Sequence, residues 1–116
     1  MAGQDKRKYI RVPVEVEFRV TEDGADEHGH LFFYSRNVSK GGAFLISDLL
    51  LQKGSTVFVK FQLPGENLIE VLAEVVWVDE ADGQEAGMGI EFTRFTPENR
   101  AAIERFLDRQ TAAKPQ

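Results

Sequence analysis

From Val12 to Val20 apolar and polar positions alternate without a break. Val12, Val14, Val16, Phe18 and Val20 fall on one face, and Pro13, Glu15, Glu17 and Arg19 on the other. A period of two marks a half-buried antiparallel strand, because successive side chains leave opposite faces of the pleat. The stretch 21–29 is acidic, contains glycine and offers nothing to a core, so it reads as a surface loop. A second strand spans His30 to Val38, with Phe32, Phe33 and Tyr34, and ends at the turn Asn37–Gly42. Ala43–Ile46 is a short apolar third strand. After Gly54, Val57, Val59, Phe61 and Leu63 share a face, and Pro64-Gly65-Glu66-Asn67 is a strong turn signal. Leu68–Val78 is a long strand with Val71, Ala73, Val75 and Trp77 on one side. Beyond the polar stretch 79–85, Met88, Ile90 and Phe92 point one way.

The last element changes period. Thr96 is a good N-cap and Pro97 suits the first helical position, where its missing N–H costs nothing. Ile103, Phe106 and Leu107 then keep the spacing of an amphipathic helix, with the arginines and glutamate of 101–109 on its solvated face. Helix propensity runs out at Thr111. Short strands followed by one helix predict an all-β protein with a C-terminal helix, a small antiparallel barrel closed on one side or at one mouth.

Composition narrows the classes. A chain of 116 residues, 42% hydrophobic and 28% charged, suits one soluble domain with one core. The net charge of −5 disfavours a nucleic-acid polymer as partner, since a surplus of carboxylates repels phosphate at long range. Without cysteine there are no disulfides or thiolate metal sites. No apolar run approaches the roughly 20 residues of a bilayer span, and the N-terminus lacks the apolar core of a signal peptide. The expectation is a cytoplasmic protein that does not insert into membranes.

Two patches carry the chemistry. Lys6, Arg7, Lys8 and Arg11 form a basic segment with no acid among them, and Arg7 and Arg11 stand four residues apart before the first strand. Asn37-Val38-Ser39-Lys40-Gly41-Gly42 places an amide, a hydroxyl and two glycines on one turn. Fixed guanidinium groups beside a polar platform suit a planar, anionic ligand such as a nucleotide. As a plain turn, the same segment would use glycine for positive φ. Trp77 reads as core or barrel rim in preference to ligand stacking. The His28-x-His30 pair lacks a third ligand on a fixed element, and 23–27 lacks the spacing of a calcium loop, so no metal is expected. No nucleophile–base set and no phosphate loop before a helix appear, which argues against an enzyme.

Arg7-x-x-x-Arg11 followed by Asn37-x-Ser39-x-x-Gly42 resembles the two-part signature of PilZ domains, bacterial receptors for cyclic di-GMP. Gly41–Leu45, Gly54, the strand Ala73–Val78 and Gly87–Phe92 extend the likeness, and the domain is expected to span 6–109, with 1–5 and 110–116 as flexible ends. The resemblance implies a six-stranded barrel with the ligand outside it. Arg7 and Arg11 would grip phosphates and guanine edges, Asn37 and Ser39 would bond a guanine from the barrel side, and Gly42 would let backbone approach the base. Lys6 and Gly41 are possible additional contacts. Lys6 stands where the family often has another arginine, and Asn37 where many members carry aspartate. The implied function is a receptor whose N-terminal segment is mobile alone and ordered by the nucleotide, altering the surface shown to an effector protein. The alternative is a PilZ-like interaction module of a motility or pilus system that ignores the nucleotide.

Overall fold

The computed structural model describes residues 10–22, 30–47, 51–79 and 86–113. Along the chain come β1 (Val12–Pro13), β2 (Glu17–Glu22), β3 (His30–Val38), β4 (Gly42–Ile46), β5 (Thr56–Phe61), β6 (Ile69–Asp79), β7 (Gly87–Arg94) and α1 (Pro97–Ala113). All strand pairs are antiparallel. They run β3–β2–β5–β6–β7–β4, and β4 pairs back onto β3, so six strands close a barrel. β1 is an added short strand on β3.

Alternation fills the interior. Phe18, Val20, Val57, Val59, Phe61, Val71, Ala73, Val75, Met88, Ile90 and Phe92 are all buried, as the pattern predicts. Phe18 stacks on Phe61 with ring centroids 4.1 Å apart, and Phe92 lies 5.7 Å from Phe61 on its way to the helix. Truncating Phe61 to alanine would cost about 3–5 kcal/mol, because a close-packed interior cannot refill a ring-sized void.

The helix covers the mouth where β3, β5 and β7 end. Thr96 Oγ1 accepts the Asn99 N–H at 3.1 Å, the expected cap. Ala102, Ile103, Phe106 and Leu107 are buried against the barrel. The helix continues to Ala113, two residues past Thr111, where its propensity was expected to run out. Thr111 donates its hydroxyl to the Leu107 carbonyl at 3.0 Å, which satisfies a polar side chain within the last turns.

Two other expectations are corrected by ladder irregularities. The strand read as 12–20 divides into β1 and β2. From Pro13 to Glu17 is four steps, whereas their partners Asn37 and Tyr34 are three steps apart, so the N-terminal strand carries one extra residue. On β6 the ladder shifts between Val75 and Trp77, which turns Trp77 outward although Val71, Ala73 and Val75 face in.

The arginines of the helix are not simply solvated. Glu66, buried on the β5–β6 turn, accepts Arg105 Nε at 3.2 Å and Nη2 at 2.7 Å on one carboxylate oxygen, and Arg109 Nη1 at 2.7 Å on the other. Arg109 Nη2 also donates to the Pro64 carbonyl at 2.8 Å. Hydrogen bonds from Arg105 first, then Arg109, hold the Glu66 carboxyl below its ordinary pKa despite burial. Residues 39 and 43 positions apart meet here, beyond the reach of any local pattern.

Candidate functional site

The turn from Asn37 to Gly42 lies at the same mouth, where β1, β3 and β4 meet. Its shape comes from internal hydrogen bonds. Ser39 N–H donates to the Gly42 carbonyl at 2.8 Å, and Gly41 N–H donates to Ser39 Oγ at 3.2 Å. The Ser39 hydroxyl, buried, also leans on the Gly42 carbonyl at 3.4 Å. Gly41 in turn accepts the Phe92 N–H at 2.8 Å and ties the turn to β7.

Glycine serves here by its size, not by its φ. Among the described residues positive φ occurs at Gly54 and Gly65 alone, so neither Gly41 nor Gly42 needs it. A Cβ on Gly42 would run into the Ile90 carbonyl, because β4 and β7 approach closely there. The fold thus asks for glycine at 42 whatever else that residue does.

Ser35 pins the neighbouring irregularity. Its buried hydroxyl accepts the Val16 N–H at 3.1 Å and donates to the Val14 carbonyl at 2.6 Å, replacing ladder bonds that the extra residue interrupts. On its other side, β3 carries its own extra residue, Arg36, where the register with β4 shifts. Two bulges back to back aim side chains outward at this corner.

One row of paired positions crosses the outside of the barrel: Pro13 with Asn37, Asn37 with Phe44, Phe44 with Gly89, and Gly89 with Trp77. Phe44 and Trp77 stack at 5.1 Å and 23°, and the Arg36 guanidinium stands 5.3 Å from the Phe44 centroid. Gly87 and Gly89 make room for these rings, since a Cβ on either would strike Phe44 or Trp77. At the other end of the row, Asn37 Oδ1 is buried with no hydrogen-bond partner among the described residues. A buried acceptor without a donor is rare, because it forfeits water and gains nothing in exchange.

Of the residues singled out by sequence, the structure brings Arg11, Asn37, Ser39, Gly41 and Gly42 to this corner. Arg11 directly precedes β1, half-buried, and β1 pairs with Asn37 and Val38. Lys6 and Arg7 lie outside the described residues. The sequence reading passed over Arg36 and Phe44 as site residues and left Trp77 to the core or the barrel rim. A signal existed: glycines two apart in one strand share a face, and space on that face invites neighbouring rings.

The model of one family, described as PilZ domain, matches residues 5–109. The chain belongs to the PilZ domain family. Its closed six-stranded barrel, extra strand and C-terminal helix are the PilZ fold. Among solved structures it is similar to the PilZ domain of YcgR from Escherichia coli, determined with c-di-GMP, with TM-score 0.73, 14% identity and 92% of each chain covered. It is similar to the Bacillus subtilis inhibitor of motility MotI/DgrA, with TM-score 0.77, 20% identity, and 95% of this chain and 54% of that one covered. A third is the MrkH–c-di-GMP complex of K. pneumonia, with TM-score 0.66, 18% identity, and 92% and 53% covered. The chain therefore spans about half the length of the latter two. Identities this low carry the fold alone. No curated protein matches the sequence significantly.

Proposed function

We propose that this PilZ domain, taken as residues 6–109, is a cytoplasmic receptor for cyclic di-GMP and not an enzyme, and that its ligand sits on the β1–β3–β4 corner. The observation that carries the reading is Asn37 Oδ1, a buried acceptor without a donor among the described residues, in the row that begins at β1. Guanine presents N–H donors on its base-pairing edge, which complement such an acceptor. Arg7 and Arg11 then take the phosphates and the acceptor edge of a base, a task for a forked guanidinium that lysine does not copy. Ser39 and the backbone of Gly41 and Gly42 complete the barrel side, with Lys6 adding charge. The Arg36–Phe44–Trp77 stack offers a flat surface at the far end of the row. The nucleotide-bound structures of YcgR and MrkH support the assignment by likeness of fold.

The output is a change of surface. Binding draws the Arg7–Arg11 segment onto the corner and orders it there, and the new surface is read by an effector protein. β1 is the physical link, since it joins that segment to Asn37 by backbone pairing. Titration calorimetry with cyclic di-GMP tests the reading. Saturable heat that disappears in Arg11→Ala and Asn37→Ala supports it. No heat at millimolar ligand, equivalent to less than about 4 kcal/mol of binding, would leave an interaction module that ignores the nucleotide.

A further inference from the structure

The outward face of β3, β2 and β5 carries large apolar groups where a barrel usually shows water polar ones. Phe32, Tyr34 and Phe58 are 58%, 52% and 50% exposed. They sit in neighbouring rows of the ladder: Phe32 is opposite Arg19 and Arg19 opposite Lys60, Phe58 is opposite Thr21, and Tyr34 is opposite Glu17. Beside Phe58, an open groove of about 370 Å³ is lined by Leu72 and Phe95, with Lys60 and Arg94 at its edge. The Arg100 guanidinium stands 4.7 Å from the centre of the Phe95 ring. The acid in the groove wall, Glu70, faces Lys60 at 3.8 Å. A chain of net charge −5 thus gathers Arg19, Lys60, Arg94 and Arg100 around its exposed apolar groove.

We infer that this face docks an acidic amphipathic segment of a partner protein. An apolar side chain of the partner enters between Phe58 and Phe95, and flanking carboxylates meet Lys60, Arg94 and Arg19. Aromatic and arginine side chains dominate interface energetics because they bury large area at modest entropic cost and still offer polar contacts. Charge selects the partner's sign. A second copy of this chain brings a surplus of negative charge of its own, whereas a locally acidic segment meets the cations without the rest of an acidic surface. The inference is separate from the nucleotide reading, since Phe58, Lys60 and Leu72 lie on β5 and β6, which pair with none of β1, β3 and β4.

The test uses the full chain and three synthetic helical peptides sharing one Leu/Phe stripe, with Glu-, Ser- or Lys-rich polar faces, followed by amide NMR. The Glu peptide is expected to shift β5 and β6 signals saturably, with the Ser and Lys peptides at least about tenfold weaker. Phe58→Ser and Arg94→Glu each weaken the Glu peptide by about tenfold or more, with thermal stability and the cyclic di-GMP titration unchanged. Absence of saturable binding, equal binding of the three peptides, or indifference to Phe58→Ser overturns the inference. So does a peptide-free dimer formed through this face, which makes the occupant a second copy. Tighter binding of single-stranded DNA than of the Glu peptide overturns it in favour of nucleic acid.

Discussion

Glu66, on the β5–β6 turn, and Asn37, near the end of β3, each bury a side-chain oxygen at the same end of the barrel. Around Glu66 every need is met: two guanidinium groups reach its two oxygens, and the turn itself is tied to the helix through Pro64. Asn37 stands in register with Pro13 on one side and Phe44 on the other, yet its Oδ1 has no donor among the described residues. The first arrangement closes on itself and can only hold the helix in place. The second leaves chemistry pointing outward from a rigid frame. Where a buried polar group is satisfied internally it serves the fold, and where it is not, the fold bears a cost that binding can offset.

Four substitutions can break or sharpen that contrast. Arg11→Ala should have the largest effect, a loss of about 1.5–3 kcal/mol of cyclic di-GMP affinity, the worth of a charge-assisted hydrogen bond. Calorimetry reads it, and Arg11→Lys should recover little because the fork is gone. Binding by Arg11→Lys equal to the parent would show that charge alone matters.

Asn37→Ala comes next. Affinity should fall by roughly 1–2 kcal/mol while thermal stability holds or rises slightly, since the change deletes an acceptor that makes no bond among the described residues. A marked fall in Tm with affinity intact would mean that Asn37 is a structural residue like Glu66.

Ser39→Ala should weaken binding by about 1 kcal/mol, as for one neutral hydrogen bond. Its hydroxyl already braces Gly41 and Gly42, so part of that loss should surface as a lower Tm in the absence of nucleotide. If the whole effect is on Tm, Ser39 shapes the corner without touching ligand.

Glu66→Gln should be the mildest at neutral pH, because both arginines stay largely in water and the amide keeps an acceptor. Folding lowers the Glu66 pKa, so its ion pairs contribute fully above the ordinary carboxylate range. That contribution is lost as pH falls through the lowered folded value. Thermal melts of Glu66→Gln should accordingly decline less steeply with acid than those of the parent. Identical acid slopes would remove Glu66 from the account of stability, and a changed nucleotide affinity would abolish the division between the two regions.

Strands and helix were readable in the chain because burial imposes periods of two and 3.6 on it. Val57, Val59 and Phe61, Met88, Ile90 and Phe92, and Ile103, Phe106 and Leu107 all face the core as the pattern says. The order of the motifs was readable too, and with it the family. Single-residue shifts between strands were not. A bulge leaves alternation in one strand almost intact while changing what it faces in the next, so the break at 14–16, the extra residue at Arg36 and the outward turn of Trp77 left no trace in spacing.

By itself the sequence determined which residues avoid water, where the helix starts and which polar groups are offered for chemistry, since these follow from local periodicity, capping and residue type. Tertiary structure alone decided which of those groups are used up. Glu66 found its arginines across 39 and 43 residues, Gly42 owed its identity to the Ile90 carbonyl of another strand, and Asn37 Oδ1 was enclosed without a donor among the described residues. Satisfaction of a polar atom depends on everything within about 3 Å of it, and chain position says little about who those neighbours are.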